Sequence, residues 1–203
     1  AHVIAREVAD KISFSPILGS NGINLDGDAI QFHYPLSSFF YNIMSKTGDI
    51  PLWNSGIGGG YPSYATLSGG YFYPFHWFFT YLTENLWLAH HLFLYLHSVL
   101  AGFFIYILLR DFKLSKLSCL LGSIVYLSGL GASIYAQPHY AVSFFIIPAF
   151  IWALRRSFDF NINYLWIAGV FLGIGWLAGF PQFNLYLATI GFLYVIFKGW
   201  KNP

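Results

Sequence analysis

The sequence predicts an all-α membrane protein: about five transmembrane helices, each near 20 residues, behind an outer-face region with two interfacial helices. Three observations carry this. The chain is 57% hydrophobic and only 9% charged, whereas a soluble domain carries ~25% charged residues. Apolar runs of spanning length fill the chain from residue 86 onward. Lys and Arg collect on alternate connectors between those runs, as the positive-inside rule requires of a multi-pass chain. The net charge of +2 is too small and too scattered to suggest nucleic acid. The single cysteine, Cys119, lies in an apolar run and has no partner for an internal disulfide; it reads as a small core residue.

Residues 1–85 form the extracytoplasmic region. HVIAREVADKI places Ile4, Val8 and Ile12 on one face of a short helix. Pro16, Gly19 and the Asn21-Gly22 pair then signal a loop. Asp28 is placed to cap a helix over Ala29–Lys46. Leu36, Phe39, Phe40, Ile43 and Met44 recur at helical spacing there, while Gln31, Ser38, Asn42 and Ser45 form the polar face. Such a helix lies along an interface rather than across it. Gly48 ends it, and residues 49–70 read as a loop too irregular for sheet. YFYPFHWFFTYL is aromatic throughout, too short to span and broken by Pro74, so it reads as a second interfacial segment.

The bundle occupies 86–203, with spans at 86–109, 117–136, 139–154, 162–180 and 183–199. Arg110, Lys113, Lys116, Arg155, Arg156, Lys198 and Lys201 are seven of the ten basic residues, and all fall on one side. That side is cytoplasmic by the positive-inside rule. The opposite side holds residues 1–85, Gln137–His139 and the turn Gly179-Phe180-Pro181-Gln182, with six of the eight acids. This topology implies a first helix missing ahead of Ala1. Gly169 and Gly173 form a GxxxG pair suited to close helix contact.

Several residues could carry chemistry. Asp26 and Asp28 form a D-x-D just before the interfacial helix. A carboxylate there could deprotonate a hydroxyl or hold a divalent cation against a diphosphate; the structural alternative is a cap and a solvated loop acid. The glycines at 56–60 and 69–70 lack a G-K-[ST], so they suit tight turns rather than a nucleotide loop. Trp53 and Asn54 suit either an interfacial anchor or substrate contact. His90, His91 and His97 fall in the first span; His90 and His97 share a helix face and could ligate haem or a pigment, but polar contact within the bundle fits better. Gln137, His139 and Gln182 sit at outer helix ends and could line one cavity. The five spans contain no Asp or Glu, which argues against a proton-coupled pump or ion channel.

The order GDAIQFHYP, GDIPLWNSGIGGGYPSYATLSGGYFYP and LAGFPQFNLY resembles the YfhO family of bacterial membrane proteins, within the polytopic glycosyltransferases of GT-C fold. The matching positions are Asp28, Gln31 and Pro35; Gly48, Pro51, Leu52, Trp53 and Asn54; Gly60, Pro62 and Ala65; Phe72, Tyr73 and Pro74; and Ala178, Gly179, Pro181 and Gln182. Phe180 stands where the family often has His. The resemblance implies a GT-C-like fold in a bacterial inner membrane. It implies a sugar donor on polyprenyl phosphate and a cell-envelope acceptor. It makes Asp28 the catalytic base, with Asp26 and Asp28 as candidate ligands for Mg or Mn. Asp26, Gln31, Trp53, Asn54, His139 and Gln182 become candidate substrate contacts. The chain lacks the family's first span and later helices, so it reads as the N-terminal part of such an enzyme, inactive alone. Two alternatives stand beside this: a non-catalytic subunit packed against other membrane subunits, and a cofactor-binding protein using the histidines of the first span.

Overall fold

A computed structural model describes residues 34–55, 59–66, 70–83, 85–136 and 138–201. Among them are seven α-helices and one small hairpin: α1 (Tyr34–Thr47), β1 (Trp53–Asn54), β2 (Tyr61–Pro62), α2 (Pro74–Leu82), α3 (Leu86–Asp111), α4 (Lys116–Ala136), α5 (Pro138–Asp159), α6 (Tyr164–Leu177) and α7 (Pro181–Lys201). The all-α expectation holds. Two helical stretches, Leu88–Asp111 and Tyr140–Asp159, are long and apolar enough to cross a membrane; the apolar stretches Lys116–Gly129 and Tyr164–Leu177 are shorter.

The five apolar runs of the sequence each become one helix, α3 to α7. The third runs five residues past its expected end, to Asp159. The fourth is shorter than expected, because Asn161 and Asn163 form a side-chain turn before it and Gly179 takes a positive φ after it.

The central helix is α5, which packs against α3, α4, α6 and α7. Its buried set is Ala141, Val142, Phe145, Ile146, Ala149, Phe150, Ala153 and Leu154. These repeat with helical spacing, and the alanines let neighbouring backbones come close. Proline at 148 removes the amide that would bond the Phe144 carbonyl four residues back. The Tyr126 hydroxyl of α4 donates to that carbonyl instead, at 2.8 Å. A side chain of one helix thus satisfies the backbone group that proline orphans in the next.

Glycines set two further contacts. Gly191 of α7 receives the Phe150 ring, and Gly175 of α6 receives the Asn184 side chain. Gly169 and Gly173 have nothing within 4 Å of a built Cβ. The GxxxG pair therefore faces away from the other described helices, contrary to a role in packing this bundle. Small size is what that motif records; the direction of the face comes from the rest of α6, whose buried residues are Ala168 and Gly175.

Before the bundle, α1 buries Leu36, Phe40, Tyr41 and Met44 and exposes Asn42 and Ser45, close to the amphipathic face expected. Gly48 at φ 74 closes it, its amide bonding the Met44 carbonyl. Residues 49–70 depart from the expected loop: β1 pairs antiparallel with β2, Trp53 opposite Pro62 and Asn54 opposite Tyr61. Two-residue strands show no period-2 pattern, which is why they escape sequence reading. Pro74 occupies the first turn of α2, where its missing amide costs nothing. Two phenols clasp α1 to α2: Tyr41 donates to the Thr83 carbonyl at 3.0 Å and Tyr81 to the Gly48 carbonyl at 3.2 Å.

The bundle has two unlike ends. One collects α1, the hairpin, α2, the start of α5 and the turn between α6 and α7. Gly70 lies against the Ala178 carbonyl there, and Tyr140 meets Phe180 edge-on at 5.2 Å. The other end holds the basic connectors. Asp111 takes a two-pronged bond from Arg156, both contacts at 2.8 Å, and Asp159 pairs with Arg155 and Lys198.

Candidate functional site

Asp26, Asp28 and Gln31 lie outside the described residues, as do Gln137, the short helix around Ile4–Ile12 and several of the loop glycines. The remaining candidates all stand at the end of the bundle that carries α1 and α2. Trp53, in β1, is 59% exposed. Its indole lies against the backbone of Gly60, where a Cβ would come within 2.8 Å of the ring nitrogen. Gly60 also holds φ 108, a backbone that other residues rarely adopt. The hairpin thus presents one aromatic ring with its inner side supported by glycine. Asn54, its neighbour, is buried.

Gln182 is exposed in the first turn of α7 and donates to the Tyr186 hydroxyl at 2.7 Å, one turn along its own helix. It shares an end with Trp53 and Asn54 rather than touching them. His139 falls in the first turn of α5, at that same end. Tyr71 links the hairpin to the helices. Its ring packs on Phe40 at 5.5 Å and its carbonyl accepts from the Trp77 indole at 2.5 Å. Burial pushes its phenol up to about 12, with Tyr61 adding to the rise and the Ser63 hydroxyl opposing it.

A second polar group joins His97, read from sequence as a candidate haem or pigment ligand or a polar contact within the bundle, to Tyr73. Tyr73, which caps α2, and His97, on α3, are both fully buried. The His97 Nδ1 lies 2.6 Å from the Phe93 carbonyl, and its Nε2 lies 2.6 Å from the Tyr73 hydroxyl. A carbonyl can only accept, so Nδ1 carries the proton. Nε2 of the neutral ring then offers its lone pair, and Tyr73 donates to it. Burial holds the Tyr73 phenol well above its ordinary range. His76 of α2 stacks on Phe93 at 4.4 Å, with the rings nearly parallel. Desolvation among these rings pushes His76 down to about 3, and the nearby His97 and His90 push the same way.

This geometry bears on the histidine alternative. With both ring nitrogens engaged, His97 has no lone pair to give a haem iron or pigment metal. His90 and His91 meet each other edge-on at 6.0 Å. Among the described residues, no three His, Cys, Asp or Glu side chains gather in a metal-holding group. The pairing of Tyr73 with His97 could be suspected only from two polar groups flanking a short aromatic helix, since the chain must reverse direction within a separation of 24 positions to join them. Cys119 is buried and free, with its thiol 3.7 Å from the Leu114 carbonyl, as a core residue should be.

No protein-family model matches the chain, and no curated protein or solved structure matches it either.

Proposed function

We propose that the chain is the N-terminal part of a GT-C-like membrane glycosyltransferase, with α3 to α7 as its five spans and residues 1–85 on the extracytoplasmic side of a bacterial inner membrane. The observation that carries this reading is the ordered series of motifs from Asp28 through Trp53-Asn54 to Gln182. In support, the described members of that series stand at one end of the bundle, opposite the basic residues.

The reaction is attack by an acceptor hydroxyl on the anomeric carbon of a polyprenyl-phosphate sugar. The new glycosidic C–O bond forms as the bond to phosphate breaks. Polyprenyl phosphate leaves with the electron pair, and the hydroxyl proton passes to the Asp28 carboxylate. The supported Trp53 ring offers an apolar face to the sugar or the lipid, and Gln31, Asn54, His139 and Gln182 are assigned as polar substrate contacts. Helices α1 and α2, lying along the interface, guide the polyprenyl tail. Asp26 and Asp28 are the carboxylates that would hold Mg or Mn, whose charge would offset that of the leaving phosphate.

The test is Asp28→Asn in the full-length protein, with sugar transfer measured from a polyprenyl-phosphate sugar. A general base contributes ~10²–10⁴-fold, so a loss of that order is expected; undiminished transfer removes Asp28 as the base. A second reading is a non-catalytic subunit of a larger membrane complex. The outward Gly169–Gly173 face of α6, beside a Trp166 that is 80% exposed, favours it. Stoichiometric co-purification of other membrane proteins in mild detergent would select that reading.

A further inference from the structure

We infer that the turn between α3 and α4 is a docking surface for the anionic headgroups of a lipid bilayer. This rests on the membrane reading of the bundle and goes beyond it by naming which cations meet lipid.

Six of the seven cations at this end have described side chains, and these fall into two sets. Arg156 is held by Asp111, and Arg155 and Lys198 share Asp159. Both acids at this end are thereby used. Arg110 in the last turn of α3, Lys113 in the turn after it and Lys116 at the start of α4 are all exposed, and none of the three meets a carboxylate among the described residues. The Arg110 guanidinium is turned into the connector by a 2.6 Å bond to the Leu114 carbonyl. That bond uses one of the five N–H donors of the guanidinium.

Lys113 carries a second, independent sign. It sits just past the end of α3 at φ 61, the one described residue other than glycine with positive φ. Its amide bonds the Arg110 carbonyl at 2.9 Å, closing the helix as a C-terminal glycine ordinarily does. Glycine would relieve the backbone strain, yet a lysine stands there. Around it, Phe112, Leu114 and Leu117 are exposed apolar side chains. The Arg155 guanidinium lies 4.1 Å over the Phe112 ring, setting charge and ring at one level. Apolar side chains that reach acyl chains beside cations at headgroup level are the arrangement of a membrane interface.

The experiment reconstitutes the protein in vesicles of phosphatidylcholine with graded phosphatidylglycerol. Flotation reports insertion, and native mass spectrometry of protein released in mild detergent counts retained anionic lipid. Each basic residue near an anionic surface strengthens binding about fivefold. The triple variant R110Q/K113Q/K116Q is therefore expected to weaken phosphatidylglycerol retention on the order of 100-fold, while K198Q, whose cation is already paired, leaves it within about twofold. K113G is expected to lose about fivefold while unfolding no more easily than the parent, which separates lipid contact from folding. Equal retention by the parent and the triple variant, both inserted, overturns the docking surface alone. Failure of the parent to float with vesicles overturns the membrane reading as well.

Discussion

Replacing Tyr73 with Phe removes one hydroxyl from a site with no access to water. Tyr73 and His97 are both 0% exposed, and their polar atoms are 2.6 Å apart. The Nδ1 proton is committed to the Phe93 carbonyl, so His97 cannot exchange tautomers without stranding that bond. The variant therefore leaves a buried Nε2 lone pair with no donor, which costs ~1–3 kcal/mol. His97→Phe strands the Tyr73 hydroxyl instead and falls in the same range. The double variant replaces both polar partners by rings and strands neither, so it costs less than the sum, with a coupling of ~1–2 kcal/mol. The assay is reversible unfolding in mixed micelles followed by tryptophan fluorescence, to which Trp77 on α2 contributes directly. A Tyr73→Phe cost below ~0.5 kcal/mol, or single costs that simply add, would refute the claim that this bond pins α2 to α3.

Other outcomes follow from the same contacts. His76 titrates near 6.5 when unfolded and near 3 in the fold, so between those values the unfolded chain binds the extra proton. Its contribution is complete above pH 6.5 and is lost on acidification at ~1.4 kcal/mol per pH unit; His76→Phe should flatten that slope in stepped-pH unfolding. Gly175→Ala drives a methyl into the Asn184 side chain and should cost ~1–3 kcal/mol. Gly169→Ala and Gly173→Ala enter open space and should stabilise by up to ~1 kcal/mol through helix propensity. Asp111→Ala removes both bonds to Arg156 and should cost ~1–3 kcal/mol by the same unfolding assay, less at high salt.

The helices were legible because each is a long apolar run between punctuating residues: Asn161 and Gly179 around α6, Gly48 after α1. The buried face of α1 followed from spacing alone, with Tyr41 added because its ring packs inward while its hydroxyl reaches the Thr83 carbonyl. Of the candidate site, spacing could show that Trp53 and Gln182 flank the bundle on one side. It could not show that Gly60 supports the Trp53 ring, because that contact depends on the hairpin register. The Tyr73–His97 bond was hidden for a related reason: it depends on how tightly the chain turns through Thr83 and Asn85. Composition also cannot tell which side of α6 its glycines face, since nearly every position on that helix is apolar.

The Tyr126–Phe144 bond imposes an order on how this sequence can change over time. Losing Tyr126 while Pro148 remains strands a carbonyl in the middle of the bundle. Losing Pro148 first strands nothing, because the restored amide at 148 bonds the Phe144 carbonyl, whose second lone pair still accepts the phenol. Evolution can therefore leave this pair by one door only, proline before tyrosine. In the laboratory, Tyr126→Phe should be costly alone and nearly neutral on a Pro148→Ala background.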